Sequence, residues 1–405
     1  MPLYRLLVSL FALWVVVRLV IARDWTALSQ RLARSPADPA PHIWLHAASN
    51  GELASARPLV DALRAARPDL PLLVTCNSAT GVALAQRWGM AARLAPLDLS
   101  WVVRRMHRDW NVRAHIAMES ELWPNRVLSC PGPVMVMGGR LSAPTARTWG
   151  LFGGLLKRVL GRLALVSPQD EGSATRYAAA GLPKAAQGPL VDLKALYTAT
   201  PRHDPELSAG FDRMATWLAA STHDGEEETV LDAHRMALMH EPDLKLILAP
   251  RHPRRGDEIE ALITARGLGC ARRSRSEPPG DAPVYLVDTL GDMDLIYPLA
   301  GRVFIGGTLT DRGGHTPYEP AAHGAALIHG PDVANFRAPF ARLDAAGAAS
   351  AITDSHELAA ALVRLKSPEA QRSQADAARA ALKPEADAKA LVAAIARHLP
   401  HAPPS

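Results

Sequence analysis

Apolar and polar residues alternate along this chain in two repeating blocks. The stretch "IWLHAASNGELASARPLVDAL", Ile43 to Leu63, is a run of apolar residues that stops at a Ser-Asn-Gly turn. It then restarts with Leu53, Ala56, Leu59, Val60 and Leu63 at helical spacing, which predicts a buried strand, a tight turn and an amphipathic helix. The same sentence recurs at "LPLLVTC" (70–76), "VRAHIAME" (112–119), "PVMVMGGRLS" (133–142) and "LALVSPQ" (163–169), each followed by a polar turn or helical pattern. A looser stretch, 197–210, interrupts it. The pattern then resumes with "TWLAAS" (216–221), "LKLILAP" (244–250), "PVYLVDT" (283–289) and "RVFIGG" (302–307), and a last helical segment runs from 382 to 400. Strands alternating with helices predict parallel, doubly wound sheets, and two such blocks predict two Rossmann-like domains facing a cleft. The boundaries read from the pattern are 40–200 and 211–395. Ligands are expected at the carboxyl ends of the strands.

The N-terminus breaks this rhythm. Leu6 to Val17, "LLVSLFALWVVV", is apolar throughout, and Leu19 to Ala22 extends it past Arg18. The uninterrupted run is shorter than the ~20 apolar residues that span a bilayer comfortably. The bulky, charged "VIARDW" that follows argues against a secretory cleavage site. Residues 1–23 are therefore read as one membrane anchor, a short span or an in-plane helix, whose flanking arginines reach for head groups.

Composition changes the picture little. The 405 residues carry 45 Lys and Arg against 40 Asp and Glu, a net charge of +5, too small to indicate nucleic acid as a partner. The arginines do cluster, at 104–110, 251–255 and 272–276, and these patches suit a solvated face or an anionic partner such as a phosphorylated lipid. Cys76, Cys130 and Cys270 lie far apart without metal-ligand spacing, as in a reducing compartment.

Candidate chemistry gathers where strands end. In "RVFIGGTLTDRGGHTPYEPAAHG" Gly306 and Gly307 permit close backbone approach, Gly313 and Gly314 free the loop, and His315 leads into a helix start whose amides suit an anion. Glu319 is placed to accept hydrogen bonds from a ribose diol, although Pro317 and Glu319 also favour a helix start by themselves. Arg251 and His252 follow another strand directly and are placed to neutralise a phosphate. "ASTHDGEEE" reads as a helix start with Ser221 or Thr222 as cap and acids in the first turn. "GDMD" (291–294) has the Asp-x-Asp form of a metal–diphosphate site, but two aspartates opening a helix are explained by its dipole, so no metal is assigned. Glu52, just inside its helix, is either a stabilising first-turn acid or a general base facing the cleft. Glu119 and Glu121, after another strand of the same block, offer further carboxylates. A cationic phosphate site opposite an acidic face suits group transfer from a nucleotide-activated donor.

Together these residues resemble the 3-deoxy-D-manno-octulosonic acid (Kdo) transferases of lipopolysaccharide synthesis. The family's His-x-x-Ser-x-Gly-Glu falls on His46, Ser49, Gly51 and Glu52, and its Glu-Ser/Thr-Glu-Leu-Trp-Pro-Asn on residues 119–125. "ASTHDGEE", "PRHP" and the Gly-Gly-His…Glu-Pro-Ala-Ala segment extend the likeness over nearly the whole chain. The resemblance implies a GT-B fold and an inverting, metal-independent glycosyltransferase without cofactor, on the cytoplasmic face of the inner membrane. It implies a CMP-Kdo donor and a lipid A precursor as acceptor. Glu52 would be the general base and Glu119 a second active-site carboxylate. The donor's cytidine monophosphate would meet Arg251, His252, Gly291, Asp292, Met293 and the segment Thr316, Pro317, Tyr318, Glu319. The chain departs from the pattern at Thr316 (Asn in the family), Asp292 (Glu), "GGRLS" (Asn-Ala-Arg-Leu-Ser) and "CNSATG" (a Thr-rich version). It departs again at Val191, where the family has a transition-state lysine, with Lys184 and Lys194 as nearby replacements. These departures leave open a paralogue using another activated sugar or acceptor, or an inactive membrane-attached nucleotide-binding scaffold.

Overall fold

The computed structural model describes residues 2–119, 121–150, 152–200 and 202–400. Two compact units emerge: Met1–Leu196 with Pro384–Ser405, and Tyr197–Lys383. The first holds a six-stranded sheet: β1 (His42–His46), β2 (Leu72–Cys76), β3 (Ala91–Leu94), β4 (Val112–Met118), β5 (Val134–Gly139) and β6 (Leu163–Pro168). Their spatial order is β3-β2-β1-β4-β5-β6, every pair parallel, the order of a doubly wound dinucleotide-binding sheet.

Strands buried on both faces explain the near-continuous apolar runs in the sequence. Successive side chains point to opposite faces, so Ile43 and Leu45 enter one core while Trp44, between them, enters the other. The turn after β1 leads into helix α3 (Asn50–Ser55) and then α4 (Arg57–Ala66). Ser49 caps α3: its Oγ accepts the Glu52 N–H at 3.2 Å.

The second unit holds β7 (Thr216–Thr222), β8 (Lys245–Pro250), β9 (Cys270–Arg272), β10 (Val284–Leu286), β11 (Arg302–Ile305), β12 (Ala326–His329) and β13 (Ala349–Ala351). The order is β13-β12-β11-β7-β8-β10-β9, again all parallel. Trp217 and Ala219 face one core, Leu218 and Ala220 the other.

The units divide differently from the pattern-based boundaries at one place. The helix Ala388–Ala396, expected in the second domain, belongs to the first. Its Leu391, Val392 and Ile395 are buried in the same core as Leu59 and Leu63 of α4. Apolar residues at helical spacing do not say which sheet they will cover, and this stripe returns to the first.

The N-terminal helix α1 runs Pro2–Ile21, longer than the apolar run alone suggested. At 1.5 Å per residue it is about 30 Å long. Among the described residues it is the one helix long and apolar enough to cross a membrane. Only Val8 and Ala12 are buried, while Leu3, Leu6, Leu10 and Leu13 stay more than half exposed. A short helix, α2 (Trp25–Arg31), follows.

Ile395→Ala tests the return of the chain. Removing a fully buried aliphatic group is expected to destabilise the first unit by about 2–5 kcal/mol, read as a lowered thermal midpoint of that unit with the second unit's transition unchanged. An unaltered midpoint would show that the closing helix does not hold that core.

Candidate active site

In the first unit the chemistry stands on the carboxyl edge of the sheet. Glu52 is half-buried at the start of α3, and its Oε2 accepts the Ala48 N–H at 2.8 Å. Burial raises its carboxyl to about 7; the Ala48 N–H opposes that rise, and the nearby Glu119 and Glu121 add to it. Glu119 ends β4 in the left-handed region, φ 51°, a conformation that costs a non-glycine residue about 1 kcal/mol or more. Its carboxyl is also raised by burial, against the neighbouring Lys194 ammonium.

Glu121 behaves differently. Burial works to raise its carboxyl, but hydrogen bonds from His46 and the Trp123 indole, with the Arg126 charge, bring it down to about 2. His46 is fully buried and held neutral, its pKa lowered to about 4 chiefly by that burial. Its Nε2 meets Glu121 Oε2 at 3.2 Å, and its Nδ1 lies 2.9 Å from the Thr75 hydroxyl and 3.0 Å from the Thr75 carbonyl oxygen. Thr75 Oγ1 in turn accepts the Trp44 indole N–H at 2.8 Å. The unit thus presents a proton-accepting carboxylate poised near neutrality beside one that stays ionised.

In the second unit a cavity of about 220 Å3 is lined by Ser221, Arg251, Tyr297, His315, Thr316 and Glu319, among others. Ser221 ends β7 with φ 59°, and Gly306 passes so near its carbonyl that a Cβ there would stand 2.5 Å from the oxygen. His315 Nε2 lies 3.0 Å from His223 Nε2, with the rings stacked. Burial lowers both imidazoles, His315 to about 4, so the pair shares a hydrogen bond between neutral rings. The permanent cation at this cavity is Arg251. Tyr297 donates its hydroxyl hydrogen bond to Glu319, fixing that carboxylate.

The glycine-rich loop is held from within. Glu226, fully buried, accepts the N–H groups of Gly307 (2.7 Å), Thr308 (3.0 Å), Leu309 (2.9 Å) and His223 (2.8 Å). Gly313 N–H donates to Asp332, Gly314 N–H to Gly307 O and His315 N–H to Gly306 O. These amides are spent inside the protein, so the loop shapes the cavity and leaves contact to side chains. The helix after it, Tyr318–Ala322, is a single turn, and Pro317 and Pro320 offer no N–H.

A family model described as 3-deoxy-D-manno-octulosonic-acid transferase (Kdo transferase) matches residues 26–196. The 3-deoxy-D-manno-octulosonic acid transferase of Bordetella pertussis is 34% identical over 369 residues, 86% of this chain and 85% of that protein. That of Haemophilus influenzae is 33% identical over 317 residues, 74% of this chain and 72% of that protein. The chain belongs to the Kdo transferase family. Among solved structures, a glycosyltransferase from Rickettsia africae is 10% identical with a TM-score of 0.58, covering 88% of this chain and 97% of that one. That likeness shows the fold alone: two parallel-sheet Rossmann-like units, the GT-B class.

Of the residues singled out in the enzyme's sequence, Glu52 and Glu119 come together on one unit, and Arg251, Thr316, Glu319 and His315 on the other. His252 is exposed, its ring 5.7 Å from His223. Tyr318 is buried, its hydroxyl accepting from Arg342, and Pro317 is buried beside it. Gly291 (φ 87°), Asp292 and Met293 form a turn outside the cavity lining. Asp292 is tied to Thr289 and Arg273 while Asp294 meets Tyr197, so the two aspartates do not converge. Among the described residues no group of three His, Cys, Asp or Glu is placed to hold a metal ion.

Three expectations change. The helix after β7 starts at Glu226 with Gly225 (φ 91°) as cap, because Thr222 Oγ1 is already donating to Glu227 and Glu226 is drawn inward. The arginine cluster 272–276 is no anion site: Arg272 is spent on Asp257, Glu260 and Asp288, Arg273 on Asp204 and Asp292, and Arg275 on Glu260 and Glu277. Val191 is buried in the first core, and of its two replacements Lys184 is exposed elsewhere while Lys194 acts on Glu119. Ser120 of the 119–125 motif lies outside the described residues.

Glu226→Ala would strip the acceptor from four amides, each orphaned buried group costing about 1–3 kcal/mol. Cytidine monophosphate affinity, measured calorimetrically, is expected to fall at least about tenfold, with Glu226→Gln intermediate. Unchanged affinity in both would show that the loop does not depend on this carboxylate.

Proposed function

We propose that the enzyme transfers Kdo from CMP-Kdo to a hydroxyl of a lipid A precursor, at the cytoplasmic face of the inner membrane, in lipopolysaccharide core synthesis. Glu52 removes the proton from the acceptor hydroxyl as the oxygen attacks the anomeric carbon. The bond from that carbon to the phosphate oxygen breaks with its electron pair, releasing cytidine monophosphate and inverting the centre. The leaving group departs as a stable anion, so no acid is needed, and Arg251 supplies the opposing charge. The neutral His223–His315 pair and Glu319 shape the remainder of the donor cavity, with Thr316 beside them. His252 and the turn Gly291–Met293 are further donor contacts on the same unit.

The observation that carries this reading is the place of Glu52 at the carboxyl edge of the first sheet: a half-buried carboxylate taking the Ala48 N–H, with Glu119 and Glu121 near, and raised by that burial to about 7. A general base works best when its pKa lies close to the working pH. Glu119, with Lys194 beside it, orients the sugar or steadies charge as it develops. Lys194 supplies a cation in the region where the family's lysine is replaced by Val191. Support for the membrane location comes from the exposed apolar face of α1.

With detergent-solubilised full-length protein, CMP-Kdo and a tetraacylated precursor, Glu52→Gln is expected to lower transfer by about 10²–10⁴-fold while nucleotide binding persists. Because only the ionised carboxylate accepts a proton, the wild-type rate should rise about tenfold per pH unit below ~7 and level off above it. A pH-independent rate between 5 and 8, or full activity in the variant, would remove Glu52 from the role of base.

A further inference from the structure

One enclosed space in the first unit lies outside the chemistry above. Between α1 and the carboxyl ends of β2, β3 and β4 is a cavity of about 250 Å3, walled by Phe11, Val15, Arg31, Asn77, Trp123 and Arg126. Arg126 is 3% exposed, and its guanidinium lies near the Trp44 and Trp123 rings. Its Nη2 donates to Pro96 O at 2.8 Å, but Nε and Nη1 meet no acceptor. The Arg126 charge is partly balanced by Asp98 and Glu121, but its buried Nε and Nη1 still lack an acceptor, which is costly. Arg31 brings a second guanidinium to the same cavity, pinned by Nη1 to Ala95 O (2.9 Å) and Nη2 to Asn77 O (2.8 Å) with its other N–H groups left over. Asp98 also lines the space, yet its oxygens are taken by the Tyr4 hydroxyl, Asn125 N–H and Arg126 N–H. With Asp98 engaged in the lining and Glu121 acting on Arg126 from outside it, Arg126 Nε and Nη1 are still without an acceptor, which suits an anion in the cavity.

The surroundings say what kind. The same Phe11 and Trp123 border a wholly apolar groove of about 300 Å3, between α1 and Trp149 and Phe152. On the other side Arg31, Asn77 and Val15 border a further groove along Trp14, Leu19 and Ala27. An anion pocket with an apolar groove on one side and a mixed groove bearing Arg18 and Asp24 on the other, along a half-exposed apolar helix, fits an amphipathic ligand whose charged group and hydrocarbon chains enter together. It also sits two hydrogen bonds away from Glu52: Asn77 N–H donates to Ala48 O, and Ala48 N–H donates to Glu52.

We propose that this cavity holds a phosphate of the acylated acceptor lipid, with Arg31 in direct contact, Arg126 as the buried charge behind it, and the acyl chains along α1. The proposal rests on the reading of a phosphorylated membrane lipid as acceptor, and makes α1 a wall of the acceptor site as well as an anchor.

The test is equilibrium binding to the full chain in detergent without donor. The probes are a bis-phosphorylated tetraacyl disaccharide, the same lipid with its phosphates removed, and inorganic phosphate. Wild type should prefer the phosphorylated lipid by about tenfold or more. Arg31→Gln should abolish that preference and Arg31→Lys retain part of it. Phe11→Glu should weaken both lipids alike, with cytidine monophosphate binding intact in every variant. A preference that survives Arg31→Gln overturns the proposal, as does inorganic phosphate bound as tightly as the lipid. Since no turnover is measured, a failure of Kdo transfer leaves the lipid result standing, and an Arg31-independent preference leaves the transfer reaction standing.

Discussion

Where the parallel strands of the second unit end, backbone N–H groups run out of strand partners, and at β11 a side chain receives them. Glu226 brings its two carboxylate oxygens to four amides, three on the loop after β11 and one on the segment after β7. Neither segment is regular structure, and an unpaired buried amide is expensive. The carboxylate therefore fixes the distance between two neighbouring strand ends. His223, His315, Ser221 and the cavity beside Arg251 take their positions from that join. Gly307, with φ 69°, is the turn that lets the loop present its amides inward.

The first unit solves a related problem with the opposite aim. Its strand ends hold carboxylates whose ionisation is to be tuned, and the tuning comes from unequal company. Glu52 has one backbone N–H and considerable burial; Glu121 has an imidazole, an indole and a nearby guanidinium. Two acids a few residues apart in space then titrate far from one another. In both units a non-glycine residue with positive φ, Glu119 or Ser221, sits at the strand end that matters. Such strain is tolerated where surrounding contacts over-determine it.

Much of this was legible in the chain. Apolar runs followed by a polar turn disclosed the central strands, and an acid directly after β1 disclosed Glu52. Four strands escaped notice: β3, β9 and β13 are three or four residues long, too brief for a period, and β12 lies in a run that also reads as a helix end. Glu226 escaped as the residue that holds the loop because "THDGEE" satisfies every local rule for a helix start. Its partners stand some 81 to 83 positions away, and nothing local predicts them. The arginines at 272–275 looked available for the same reason: Asp257, Glu260 and Asp288 are separated from them in sequence and meet them only in the fold. The closing helix shows the limit of periodicity most plainly, since its stripe names a buried face without naming the sheet.

That helix has a consequence for synthesis. The second unit is inserted, in covalent terms, within the first: the chain leaves at Leu196 and comes back at Pro384. The first unit's core lacks Leu391, Val392 and Ile395 until almost the whole polypeptide has emerged, on the order of ten seconds or more after its sheet has been made. The second unit is continuous and completes first, while the first, acid-bearing unit waits for its closing helix. The ribosome thus finishes the two units in the reverse of the order in which they begin along the chain.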